Sequence, residues 1–102
     1  MSSVSASITH RLGKAEAIRR ISDGFGALRS HLSNFASIDQ ADWKENVLHF
    51  NLRAIGQTVA GTITVEDDLA RIELTLPWLL AKFAERLLPA MKRETRLLLD
   101  RK

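Results

Sequence analysis

The side chains best suited to chemistry are few. His10, His31 and His49 are the only imidazoles. None is followed three or four residues on by a histidine or a carboxylate, the spacing that puts two metal ligands on one helix face. They are read as ordinary surface or edge residues, with His49 facing solvent on its strand. Glu66-Asp67-Asp68 suggests a cation site at first sight. Calcium needs about six to eight oxygens spread over a longer loop, so three adjacent acids read as turn chemistry. Serine, histidine and aspartate all occur, yet no nucleophile-elbow motif does. The chain has no cysteine, which removes thiolate zinc sites, iron–sulfur clusters, disulfides and cysteine nucleophiles and suits a reducing compartment. No catalytic residue, metal ligand or cofactor is expected.

The elements that would hold any site follow from the apolar spacing. Val4, Ala6 and Ile8 alternate with Ser and Thr, the period of a half-buried strand, with residues 1–3 expected to fray. From Leu12 to Leu32 the period becomes helical. Ile18, Ile21, Phe25, Leu28 and Leu32 form one stripe, extended backwards by Ala15. Gly24 and Gly26 interrupt this helix and imply close packing there. A short strand is expected around Ser37 to Trp43. Leu48, Phe50 and Leu52 then mark a strand, as do Val59, Gly61, Ile63 and Val65, and Ala70, Ile72, Leu74 and Leu76. Gly61 implies a bulge or a close backbone approach. Pro77 opens a last helix with Leu80, Phe83, Leu87 and Met91 on one face, and Pro89 should kink or break it.

The order is β-α-(β)β-β-β-α. That is an α+β fold, a mainly antiparallel sheet of about four strands with two amphipathic helices packed on one face. The 102 residues suit one domain. No apolar run approaches a membrane span, and the first residues lack the pattern of a secretory signal.

Charge is uneven. Residues 1–91 carry ten basic and ten acidic side chains, while the last eleven carry five against two. Residues 92–102 therefore read as a basic helical tail, with Lys92, Arg93, Arg96, Arg101 and Lys102 as candidates for contact with an anionic surface. Trp78, Leu79, Leu88, Leu97 and Leu99 exceed what one narrow stripe can bury and are candidates for contact with an apolar surface or partner. Nucleic acid is not an expected partner, because no basic stripe is interleaved with exposed aromatics.

Three segments, His10 to Ala17 (HRLGKAEA), Trp43 to Phe50 and Gly61 to Asp68 (GTITVEDD), set in this order of elements, resemble the polyhydroxyalkanoic acid system proteins, small bacterial proteins. The resemblance runs from about Ser5 to Leu99. It implies a cytoplasmic accessory protein of polyhydroxyalkanoate metabolism, at the storage-granule surface or on a granule-bound protein, and it carries no catalytic residues. A polyester hydrolase would need an activated nucleophile and an oxyanion hole, for which so small a core has little room, so no enzyme is expected. Two other readings stand beside it. One is a small α+β binding module for an acyl or hydroxyacyl ligand. The other is a homodimeric scaffold joined through Leu97, Leu99 or an edge strand.

Overall fold

The computed structural model describes residues 2–100. Five strands form one antiparallel sheet: β1 (Ser2–Thr9), β2 (Ser37–Lys44), β3 (Val47–Ala54), β4 (Gln57–Val65) and β5 (Leu69–Leu76). Their spatial order is β1-β5-β4-β3-β2. The segment around Ser37 is thus a full strand, so the sheet has five strands rather than about four. Helix α1 (Lys14–His31) lies between β1 and β2 in sequence, and a 3₁₀ turn (Trp78–Leu80) leads into α2 (Ala81–Asp100).

Each alternating run puts its apolar members on one face, because successive strand side chains point to opposite sides. Ile8, Leu48, Phe50, Leu52, Ile63, Ile72 and Leu74 are all at most 3% exposed. Helix α1 covers this face with Ala17, Ile21, Phe25 and Leu28. Ala17, rather than Ala15, extends the stripe; Ala15 points to solvent. Helix α2 adds Ala84, Leu87, Met91, Leu98 and Leu99. The other face of the sheet is polar and uncovered by any helix.

Pro89 does not divide α2, which is one helix from Ala81 to Asp100. Proline forfeits one backbone bond there, and the flanking Leu87, Ala90 and Met91 hold both halves against the core. Two glycines mark close approaches. A side chain at Gly24 would collide with Leu98 of α2, and one at Gly61 would collide with the Phe50 ring. The β3–β4 register runs unbroken through Gly61, so this glycine makes room for Phe50 rather than a bulge. The one register shift lies in β2, between Ile38 and Gln40.

Candidate functional site

The two ends of the sheet differ in chemistry. Ala60 lies opposite Thr75 and Val65 opposite Ala70. Continuing that register brings Gln57 level with Trp78. The β3–β4 turn and the 3₁₀ turn therefore occupy the same end. That end holds three large apolar side chains in solvent: Ile55 at 72% exposure, Trp78 at 75% and Leu79 at 57%.

Ile55 is the informative one. It and Gly56 form the two-residue turn between β3 and β4, with φ of 53° and 72°. A two-residue hairpin turn with positive φ at both positions favours Asn-Gly or Asp-Gly. For a β-branched residue the left-handed region is strained. Neither the turn nor the core calls for isoleucine here. The apolar spacing leaves Ile55 between the strand of Leu48, Phe50 and Leu52 and that of Val59 to Val65, and misses it as a surface feature; the available signal was an apolar residue where a turn prefers asparagine.

The opposite end is acidic. The β2–β3 turn holds Glu45 and Asn46, and the β4–β5 connection holds Glu66, Asp67 and Asp68; all four acids are exposed. The Asn46 side-chain amide donates to the Val65 carbonyl at 2.8 Å and reaches Glu66 at 3.4 Å. The Asp67 carboxylate accepts the Lys14 backbone N–H at 3.2 Å. Gly13, the residue before α1, offers no side-chain cap, so an acid from a distant turn supplies the negative charge that a helix N-terminus favours. The acidic run is thus turn chemistry with a capping role.

His10 corrects an expectation. It is buried rather than at the surface. Its Nδ1 accepts the Leu12 N–H at 3.2 Å, which leaves Nε2–H to donate to the Glu66 carbonyl at 3.1 Å. The imidazole ties the β1–α1 connection to the acidic turn. His49 is exposed, as its strand phase predicts. His31 reaches across from α1 to Glu94 of α2 at 2.6 Å. The three imidazoles sit apart in the fold: His10 before α1, His31 on α1 and His49 on β3.

Helix α2 joins the two ends. It leaves the 3₁₀ turn at the apolar end, and its last residues reach the other end. There Leu99 and Asp100 line an open cleft of about 580 Å³ with Thr9, His10 and Asp68. On its solvent side, Lys82, Arg86, Pro89, Arg93 and Arg96 follow a four-three-four-three spacing, which is one helix face. All four cations are exposed. The surplus positive charge assigned to the tail thus continues along the helix through Lys82 and Arg86, which counting charge along the chain could not separate from nearby acids. Helical phase was the missed signal.

The remaining candidate residues divide as follows. Trp78, Leu79 and Leu97 are exposed, as their positions outside the stripe imply. Leu88 is half-buried against the core. Leu99 is a correction: it is 2% exposed and belongs to the core. The reason is the tight seam between the helices, where Leu98 lies against Gly24 and Arg20 donates to the Leu99 carbonyl at 2.8 Å. Lys92 is half-buried, and Arg93 lies 3.7 Å from the Glu94 carboxylate. Arg101 and Lys102 fall outside the described residues. Near the start of α1, Glu16 accepts from Arg19 and Arg20, which hold its carboxyl at about 2, well below the ordinary range. No helix among the described residues is long and apolar enough to cross a membrane.

The family model of the polyhydroxyalkanoic acid system proteins aligns with residues 4–99. No curated protein and no solved structure matches the chain.

Proposed function

The chain belongs to the polyhydroxyalkanoic acid system protein family, and from that premise we propose that it is a non-enzymatic accessory protein that binds the polyester storage granule through its apolar end. The observation that carries this reading is Ile55, an exposed apolar residue kept in a strained turn conformation. Strain of this kind concentrates where function requires it. Trp78 and Leu79 lie at the same end, so the three side chains can meet an apolar surface together. Burying a large apolar side chain contributes about 1.5–3 kcal/mol, and three such contacts suffice for reversible adsorption.

The charge distribution fits this orientation. The acidic turns lie at the far end and stay in water when the apolar end is seated. The cations of α2 run between the two ends and act on whatever anionic groups the granule surface carries, a contribution that salt screens. A cytoplasmic location at the granule surface goes with the reading.

Co-sedimentation with native polyhydroxyalkanoate granules tests it. The full chain should sediment in high salt, and Trp78→Ser with Leu79→Ser should reduce the bound fraction at least tenfold. Replacing Lys82, Arg86, Arg93 and Arg96 by Gln should remove only a salt-sensitive part. Binding no stronger than that of an inert basic protein of equal size would overturn the proposal.

A further inference from the structure

The sheet has two edges, and only one is protected. Strand β2 carries Asp39, Asp42 and Lys44 and a register shift, the usual devices that stop a strand from pairing with another chain. Strand β1 has none of them. Its sequence, SSVSASIT, has no charge and no proline, and its register against β5 is unbroken from Ser2↔Leu76 to Thr9↔Leu69.

The direction of its free backbone groups can be derived. The next residue in register, His10, donates its N–H to the Asp68 carbonyl. In an antiparallel ladder, alternate residues turn both polar groups to the same neighbour. Even-numbered residues of β1 therefore bond to β5, while Ser3, Ser5 and Ser7 aim theirs away from the sheet. These three residues are exposed. On the helix-covered face, Val4 and Ala6 are only half-buried, whereas every apolar residue at the core-facing positions of β5 is buried.

We infer that β1 is a self-pairing edge whose occupant is β1 of a second copy, antiparallel about a two-fold axis at Ser5. In that register Ser5 meets its own counterpart, Ser3 meets Ser7, and Val4 meets Ala6. The outward N–H and C=O groups bond in pairs. The half-covered apolar side chains close against each other on the helix face, and β1 itself, SSVSASIT, brings no charge to the axis. The alternation of faces is kept, so both copies carry their helices on one side of a continuous sheet. Because the strands are antiparallel, the two apolar ends point in opposite directions. This inference stands apart from granule binding.

Sedimentation velocity of the full chain across a concentration series, without granules, tests it. A species of twice the 11.4 kDa chain mass should dissociate on dilution. Ser5→Pro removes an outward N–H that β5 does not use, so it should weaken the dimer at least tenfold. Ser5→Lys sets two like charges opposite each other and should do the same with the fold kept, which covers the case in which proline disturbs the strand. A chain that remains monomeric at millimolar concentration, or a dimer unaffected by Ser5→Lys, would overturn the inference.

Discussion

Replacing Ile55 by Asn should raise stability and lower granule binding at once. Isoleucine at φ 53° bears a left-handed penalty of about 1–2 kcal/mol, which asparagine largely avoids. Ile55 is 72% exposed, so its loss leaves no core cavity. The net gain should be about 1 kcal/mol, or about 4–8 °C in Tm for a domain of this size. Adsorption should weaken about tenfold, since losing one apolar contact of about 1.5 kcal/mol corresponds to that factor. Thermal unfolding by circular dichroism reads the first effect, and granule-binding isotherms in high salt read the second. A simple turn residue would give the Tm gain alone. A fall in Tm, or unchanged adsorption, would refute the argument that the strain is kept for contact.

Other predictions concern packing and charge. Gly61→Ala should cost about 1–3 kcal/mol by forcing the Phe50 ring aside. Gly26→Ala, where an added Cβ meets nothing within 4 Å, should stabilise by about 0.5–1 kcal/mol; urea midpoints separate the two signs. Leu99→Ala should cost about 2–5 kcal/mol, and Leu97→Ala should stay within about 0.5 kcal/mol, a contrast visible in the same unfolding experiment. The low pKa of Glu16 means that its pairs with Arg19 and Arg20 stabilise the fold fully above the ordinary value of 4.5. That contribution fades as pH falls through about 2. The stability difference between wild type and Glu16→Gln should therefore be present at pH 7 and disappear below about pH 2.

Much of the fold is legible in the sequence because burial there follows simple periods. Leu48, Phe50 and Leu52 alternate without interruption, and Ile21, Phe25 and Leu28 keep helical spacing, so strand and helix declare themselves locally. Pro77 and the turn at Glu66 to Asp68 mark the boundaries. What escaped depends on contacts between distant segments. Leu99 is buried because Gly24, on another helix, lets the helices close. His10 is buried because a turn more than fifty residues away supplies its acceptor. Pro89 sits inside an intact helix because the core holds both sides. The candidate site was half legible. Trp78 and Leu79 stand outside the apolar stripe and can be picked from spacing. Ile55 joins them only through the β4–β5 register, and the cationic face of α2 appears only when Lys82 and Arg86 are placed on the same helix as Arg93 and Arg96.

The most direct test of the account is the environment of Trp78 on the polymer. The chain has two tryptophans, and Trp43→Phe leaves Trp78 as the only one. On addition of protein-free polyhydroxyalkanoate particles, the Trp78 emission should shift to the blue and become shielded from iodide as the protein sediments with the particles. Emission that keeps its solvent-exposed wavelength while the protein sediments would place the contact elsewhere, and protein that stays in the supernatant would contradict granule binding itself.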